Sequence, residues 1–189
     1  MAQTQARYDE FAEWYEQWIG DAPPLIAAHA GLLPVVTGHR VLDIACGQGR
    51  MSRYLASLGA DVAGVDISAM MLGKARAAGP ENITYICADV TGHPAWWDGR
   101  PFDGCTCELA LMDIDDLPGA LSTVTTVLRP GGWFVASIVH PCFPGSEGAG
   151  AAGRQDRVTS PRAGGARRTI ILTASGSRWV RRTASCPPS

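Results

Sequence analysis

Apolar positions along this 189-residue chain fall into blocks whose spacing alternates between that of strands and that of helices. The strand-type blocks are 40–45, 61–65, 83–87, 102–107 and 133–139, and the helix-type blocks are 49–58, 68–77 and 116–128. Alternating strands and helices of this length require parallel pairing with right-handed crossovers. The pattern therefore predicts an open, doubly wound α/β sheet that binds any ligand at the carboxyl ends of its strands.

The segment before the first strand has a purely helical pattern. Aromatic and apolar residues in 4–19 recur at helical spacing, the Asp21-Ala-Pro-Pro sequence ends that helix, and a second short helix is predicted near 24–32. We expect three parts along the chain: 1–36, 37–143 and 144–189.

Charge and cysteine content narrow the class of protein. Residues 1–144 carry a net charge of −8 and residues 145–189 carry +6, which gives −2 for the whole chain. The acidic body argues against nucleic acid as the main partner. Six cysteines show no C-x-x-C spacing, no secretory signal precedes them, and no apolar run approaches the ~20 residues of a membrane span. We expect a reduced, cytoplasmic protein without a membrane partner.

A buried strand runs into a loop of small residues between Val41 and Gly49. Gly47 and Gly49 allow the backbone to approach a ligand closely, and the loop leads into a helix whose first N–H groups are free. A dinucleotide site begins in a similar way. Two details argue against a dinucleotide: the carboxylate of Asp43 would oppose a pyrophosphate but tolerate a cationic ligand, and Ser52 replaces the third glycine of G-x-G-x-x-G.

Acidic residues also end the second and third strands. Asp66 can accept both hydroxyls of a ribose, Asp89 can accept from an adenine amino group, and the backbone of Val90 can bond a ring nitrogen. Either acid alone is equally well explained as a helix cap or a turn former. Because Asp66 and Asp89 both end strands, and each lies 23 residues after the previous acid, starting from Asp43, the set favours a nucleoside site.

Residues 40–143 resemble the class I S-adenosylmethionine (SAM)-dependent methyltransferases of the small, ubiquinone-biosynthesis-like type. Asp43 to Gly49 is similar to the family's [DE]-x-G-x-G-x-G loop, with Ala45 at the first glycine, a mild departure because alanine is next in size. The segment from Phe102 to Ala110 resembles the fourth strand, and Leu128-Arg-Pro-Gly-Gly resembles the turn before strand five.

This resemblance implies a Rossmann-like methyltransferase sheet that binds SAM, with residues 1–36 as a helical lid. Asp66 corresponds to the ribose-binding acid, Asp89-Val90 to the adenine pair, and Glu108 lies at a strand end near the methionine portion, where it bonds the amino group, faces the substrate or lies at the surface. The cofactor-binding residues are then Asp43, Ala45, Gly47, Gly49, Asp66, Ile67, Asp89, Val90 and Glu108.

Methyl transfer from a sulfonium is an in-line displacement, for which positioning and exclusion of water supply most of the catalysis. A base is therefore optional. His140 is the best candidate for one, and the alternative is a structural histidine before Pro141. The short acidic body favours a small-molecule acceptor, without indicating an O, N or C nucleophile or an oligomeric state. Two other functions stay open: an NAD(P)-dependent reductase of Rossmann type, and a SAM-binding remnant without catalysis.

Two side-chain pairs have a structural and a chemical interpretation. Cys105 and Cys107 lie on one face of a strand, which predicts buried hydrophobic packing in preference to a metal site. Trp96 and Trp97 are expected to cover a sheet edge or loop, and the alternative is stacking on a substrate.

The tail has a composition unlike the rest: 31 of the last 45 residues are Gly, Ala, Ser, Pro or Arg, and Lys74 is the single lysine of a chain with 15 arginines. This usage indicates GC-rich coding DNA. Read in a shifted codon frame, the tail can encode W-P-P-G-x-G-Y, E-G-W-W and A-H-R-[ILV]-L-S-T, which resemble, in order, the segment after strand five in small bacterial methyltransferases. We predict a frameshift near residues 144–152, and the alternative is a genuine basic, disordered tail.

The frameshift has structural consequences. We expect the late strands to be missing or replaced, residues 145–168 to lack regular structure, and 169–183 to form at most a poorly packed hairpin. The arginines of that hairpin suit a solvated edge, so the flank of strand five should lie open or only loosely covered.

Overall fold

The computed structural model describes residues 23–139, 168–175 and 178–185. The helices are α1 (Pro23–Ala30), α2 (Arg50–Ser57), α3 (Ala69–Ala78) and α4 (Leu117–Val127), and a 3₁₀ turn spans Leu111–Asp113. The strands are β1 (Arg40–Ile44), β2 (Asp61–Asp66), β3 (Thr84–Cys87), β4 (Phe102–Glu108), β5 (Leu128–Val139), β6 (Arg168–Ser175) and β7 (Arg178–Ser185). The helix predicted over 4–19 lies outside the described residues.

Local side-chain contacts fix where two of the helices begin. Ser68 precedes α3, and its hydroxyl accepts the N–H of Met71 at 3.0 Å. Asp116 precedes α4, and its Oδ1 accepts the N–H of Gly119 at 3.0 Å. Both are N-caps that satisfy backbone donors at a helix start. Within the part of the chain that the structure describes, none of the helices is both long and apolar enough to cross a bilayer.

The seven strands form one sheet in the order β3-β2-β1-β4-β5-β6-β7. Strands β1 to β5 pair in parallel, whereas β6 and β7 are antiparallel. The open, doubly wound, mostly parallel sheet predicted from the sequence is confirmed. The strand order reverses between β1 and β4, and at such a switch point a crevice opens at the carboxyl ends of the strands.

Alternating residues of the strands supply a core on each face of the sheet. Val41 of β1 packs with Leu55 of α2 on one face, where residues of α1 also pack. The next residue, Leu42, packs with Phe134 of β5 and Val124 of α4 on the other face. Because side chains alternate along a strand, one sequence block serves both layers.

The predicted burial of the cysteine pair is confirmed, and the tryptophan pair packs against the core. Cys105 and Cys107 are fully buried, and burial raises the pKa of both thiols well above the usual range. Trp96 and Trp97 pack, partly buried, on the face that α4 covers. Trp97 Nε1 donates to the carbonyl of Arg100 at 2.7 Å, which anchors the loop.

Strand β5 begins earlier than the predicted 133–139. Leu128 already pairs with Phe102, and after an irregularity in register Trp133 pairs with Gly104. Gly131 lies at the irregularity with φ of 76°, a backbone conformation that glycine adopts without a steric penalty. The Pro-Gly-Gly turn thus lies inside the strand instead of preceding it.

The flank of β5 is not open, which contradicts one of the two predicted alternatives, while loose covering by side chains stays a prediction. Strand β6 pairs with β5 from Trp133↔Ser175 to Val139↔Thr169. Its sequence contains Thr169-Ile-Ile-Leu-Thr, in which β-branched residues favour an extended strand despite the composition of the tail. Strand β7, which contains Arg178, Arg181 and Arg182, takes the edge position of the sheet. The predicted lack of structure in 145–168 concerns residues that, apart from Arg168 in β6, lie outside those described.

Candidate functional site

A cavity of about 330 Å³ lies at the carboxyl ends of β1 to β4, which is a size that suits a small molecule. Of the predicted cofactor-binding residues, all but Gly49 line it. Eight of the nine predicted residues therefore lie around one cavity. The further lining residues used below are Arg50, Leu109, Ala110, Asp113, Asp115 and Asp116.

Three residues of the loop after β1 adopt positive φ angles: Ala45 (51°), Gly47 (53°) and Gly49 (71°). The left-handed region is open to glycine, but costs a residue with a Cβ roughly 1–2 kcal/mol. The change from glycine to Ala45 is therefore not only a matter of size, as the sequence argument assumed. It places a backbone strain in the wall of the cavity.

Gly49 has a packing role instead of a lining one. A Cβ at this position would meet the hydroxyl of Tyr85, with Tyr85 Cζ at 2.8 Å and Ala75 Cβ at 3.0 Å. The phenol of β3 thus passes directly behind the loop, and its Oη is buried without a hydrogen-bond partner among the described residues. Glycine at 49 lets the loop lie on this ring, which sets the position of the N-terminus of α2.

Asp43 lies at the base of the cavity and is 1% exposed. The hydroxyl of Ser52 donates to Asp43 Oδ2 at 2.6 Å. Burial, opposed by this hydrogen bond, raises the pKa of Asp43 to about 7. Ser52, which the sequence argument read only as a missing glycine, is therefore the residue that holds Asp43. A cation bound beside Asp43 would favour its ionised form.

Asp66 links the glycine loop to the end of β2. Its Oδ2 accepts the N–H of Gly47 at 2.7 Å, and its Oδ1 accepts the N–H of Ser68 at 2.8 Å. These contacts correspond to the turn-forming alternative, yet Asp66 also lines the cavity. Each carboxylate oxygen has two lone pairs, so both roles are compatible.

Asp89 forms a turn at the end of β3. Its Oδ1 accepts from the backbone N–H of Thr91 at 2.8 Å and from the Thr91 hydroxyl at 2.7 Å. This fixes the carboxylate beside Val90, which is almost fully buried in the core. Ile67, about one-third exposed, lines the cavity after Asp66.

Glu108 ends β4 with one carboxylate oxygen in a dry position. Among the described residues, Glu108 Oε1 is buried and has no hydrogen-bond partner. Burial raises the pKa of Glu108, and the nearby positive charge of Arg50 opposes that shift. An unpartnered acceptor in the wall of a cavity is the kind of group that a ligand donor satisfies.

The cavity is strongly acidic. Seven carboxylate residues line it, against one basic residue, Arg50, in the part of the chain that the structure describes. The acidic lining residues are Asp43, Asp66, Asp89, Glu108, Asp113, Asp115 and Asp116. Such a wall favours a ligand with positive charge and opposes one that carries phosphates.

His29 was not identified by the sequence argument. It lies on α1, is 1% exposed, and its Nδ1 and Nε2 lie 2.9 Å from Ser137 Oγ and 2.5 Å from Thr106 Oγ1. Burial lowers the pKa of His29 to about 4. A single histidine in an apolar helix gives no signal in the sequence, because its partners lie on β4 and β5. The predicted base, His140, lies outside the described residues.

Comparison with known proteins gives one family for the segment that carries the cavity. The model described as "Methyltransferase domain" matches residues 42–136. A demethylmenaquinone methyltransferase of Clavibacter sepedonicus is 32% identical over 140 residues, which are 70% of this chain and 56% of the relative. A malonyl-[acyl-carrier protein] O-methyltransferase of Salmonella typhimurium is 40% identical over 104 residues, 53% of this chain and 40% of the relative.

Comparison with solved structures also finds a methyltransferase. A crystal structure of an S-adenosylmethionine-dependent methyltransferase from Mesorhizobium loti has 38% identity and a TM-score of 0.59, covering 65% of this chain and 57% of that one. The chain spans about half the length of the curated relatives that it matches.

Proposed function

We propose, from the premise that this chain belongs to the methyltransferase domain family, that it transfers the methyl group of SAM to a small-molecule acceptor. The observation that carries the proposal is the set of carboxylates at the ends of β1, β2, β3 and β4 around one cavity beside the glycine loop. These same residues are the strand-end and strand acids that the sequence predicts for the cofactor.

The charge of the cavity fits SAM better than a nicotinamide dinucleotide. SAM carries a sulfonium and an ammonium group, whereas the pyrophosphate of NAD(P) would meet Asp43 and Asp66 beside the loop. Each of these carboxylates would repel a phosphate in a partly dry site, where charge interactions are strong. The acidic wall therefore disfavours the NAD(P)-dependent reductase.

We assign each group of SAM to residues that line the cavity. Asp66, which also accepts the N–H groups of Gly47 and Ser68, would accept from the ribose hydroxyls. Asp89 and the backbone of Val90 would bind the adenine, next to the apolar side chain of Ile67. The buried oxygen of Glu108 would accept from the ammonium group, and the charge of Asp43 would favour the cationic end.

Methyl transfer from SAM requires mainly that the protein position the two reactants. SAM, when bound, supplies a methyl group on a positively charged sulfur, which is a good leaving group. The role of this chain is to align the acceptor with that methyl group and to exclude water. His140 stays a candidate base for an O or N acceptor. The two relatives have different acceptors in their names, so the segment they share with this chain supports an assignment to the cofactor and not to the acceptor.

Calorimetric titration of the chain with SAM and with NADH tests the cofactor assignment. We expect saturable binding of SAM and no measurable heat from NADH at the same concentrations. A preference for NADH would contradict the proposal and favour a reductase. A screen of methyl transfer from SAM to small phenols, amines and acids then separates the enzyme from a remnant, because a remnant binds SAM without turnover on any acceptor.

We also propose that residues 144–189 limit turnover because they derive from a shifted reading frame. Supporting this is the composition of that segment and the three ordered blocks in the alternative frame. The encoding DNA should read W-P-P-G-x-G-Y and then E-G-W-W in that frame. A chain with the frame restored should turn over faster and be more soluble, with unchanged affinity for SAM. Equal turnover of the two chains would contradict this proposal.

A further inference from the structure

A buried histidine joins α1 to β4, which ends at the cavity, and to the neighbouring strand β5. His29 on α1 is hydrogen-bonded with Thr106 on β4 and with Ser137 on β5. Burying an imidazole is unfavourable unless its nitrogens find partners, and here both do. Thr106 pairs in register with Asp43, and Ser137 pairs with Glu108. The histidine thus contacts the strand neighbours of both carboxylates.

Ser137 carries this contact to the wall of the cavity. Leu109 N–H donates to the Ser137 hydroxyl at 3.1 Å and to the Ser137 carbonyl at 2.9 Å. Leu109 has φ of 53°, an uncommon conformation for a branched residue, which persists only where the surroundings enforce it. Leu109 lines the cavity between Glu108 and Ala110. Ser137 is therefore the side chain that holds the strained turn at the end of β4.

The hydrogen-bonding capacity of these groups makes a continuous chain. A hydroxyl has one donor and two acceptor sites, so Ser137 Oγ can accept from Leu109 and still bond with an imidazole nitrogen. The neutral imidazole offers one donor and one acceptor, which suits one hydroxyl at each nitrogen. The contact with His29 fixes the rotamer of Ser137 in which its oxygen faces Leu109.

We propose that His29 is a positioning residue that, through Ser137, holds the Glu108–Leu109 turn and so sets the affinity of the cavity for SAM. The identity of the ligand, SAM, rests on the proposed function. The hydrogen bond between His29 and Ser137 is independent of that function. It also assigns a role to α1: the helix supplies the buried group that orders the end of β4.

Two matched variants separate positioning from packing. The amide of an asparagine reaches about as far as Nδ1 of a histidine, and that of a glutamine about as far as Nε2. His29→Asn should therefore keep the contact with Ser137, and His29→Gln should keep the one with Thr106. Both lose the ring, so both should lose similar thermal stability. We expect the Kd for SAM to rise about twofold in His29→Asn and about tenfold in His29→Gln.

A second readout does not involve SAM. The amide of Leu109 should exchange its hydrogen about fivefold faster in ligand-free His29→Gln than in His29→Asn, because only His29→Gln loses the contact that orients the Ser137 hydroxyl toward Leu109. Ser137→Ala should exchange and bind like His29→Gln, and it serves if the His29 variants do not fold. Equal Kd values and equal Leu109 exchange in the two His29 variants would overturn the proposal. Failure of the wild-type chain to bind SAM would overturn the proposed function and the claim about affinity, while Leu109 exchange would still decide whether His29 holds the turn.

Discussion

Replacing Asp66 with alanine should weaken SAM binding by about 1.5–3 kcal/mol, which is roughly a 10- to 150-fold rise in Kd. The carboxylate would provide charge-assisted hydrogen bonds to the ribose hydroxyls, and these are the stronger class of hydrogen bond. The side chain also accepts the N–H groups of Gly47 and Ser68, at 2.7 and 2.8 Å. Part of the loss will therefore come from a looser glycine loop.

Asp61→Ala is the matched control for this change. Asp61 begins the strand that Asp66 ends, and its side chain is 66% exposed. The substitution removes the same charge from the same strand at the end away from the cavity, so SAM affinity should not change. Calorimetry on both variants, with thermal unfolding measured alongside, separates the effects. An unchanged Kd in a folded Asp66→Ala would remove Asp66 from the site.

The strands and the strand-end acids were predictable because the topology leaves few alternatives. In a parallel, doubly wound sheet the carboxyl ends of the strands meet at one edge, so acids at strand ends must come together. Asp43, Asp66, Asp89 and Glu108 do line one cavity. Periodicity also placed the element boundaries, except in β5, where a positive φ at Gly131 lets the strand continue through the predicted turn.

The contacts that hold those acids were not predictable. Two hydrogen bonds, one from Ser52 to Asp43 and one between His29 and Ser137, join separate helices and strands. The periodicity of the sequence gives no signal for such contacts. The positive φ of Leu109 is likewise set by its partners on β5, since leucine has no preference for that conformation. The spacing of hydrophobic residues predicts the sheet and the helices that cover it. The side-chain contacts between sheet and helices depend on how these elements pack in the folded protein.

The pairing of residues 168–185 with the rest of the sheet was also not predictable from composition. Composition alone argued for a missing or replaced end to the sheet, and the antiparallel pairing of β6 with β5 contradicts an open flank. A strand needs only a short run of β-branched and apolar residues, and Thr169 to Thr173 provides one inside an arginine-rich segment. The residue pattern therefore predicted a hairpin in 169–183, whereas the composition of the tail did not predict that this hairpin pairs with β5 along seven residues.

Gly104→Ala should destabilise the fold by about 3 kcal/mol, because it adds a methyl group where an aromatic ring lies against the sheet. A Cβ at this buried position of β4 would come within 2.5 Å of Trp133 Cδ2, and two more atoms of the indole would be closer still. Trp133 is the register neighbour of Gly104 on β5. The two backbones are held together by their ladder of hydrogen bonds, so neither can move away to relieve the contact.

Gly73→Ala is the control for the general effect of adding a Cβ. Gly73 lies in the interior of α3, and a Cβ there would meet nothing within 4 Å. Alanine should stabilise the helix by about 0.5–1 kcal/mol, because glycine is a poor helix former. The two variants add the same atoms and should shift the midpoint of thermal unfolding in opposite directions.

A second substitution at the contact tests the cause of the loss. Trp133→Leu in the Gly104→Ala background removes the ring that the new methyl group meets, so it should recover part of the lost stability, although Trp133→Leu alone should be destabilising. Urea unfolding of the two single variants and the double variant measures this coupling. Simple addition of the two losses would mean that the Trp133 indole does not lie over Gly104, and the pairing of β4 with β5 at this position would then be wrong.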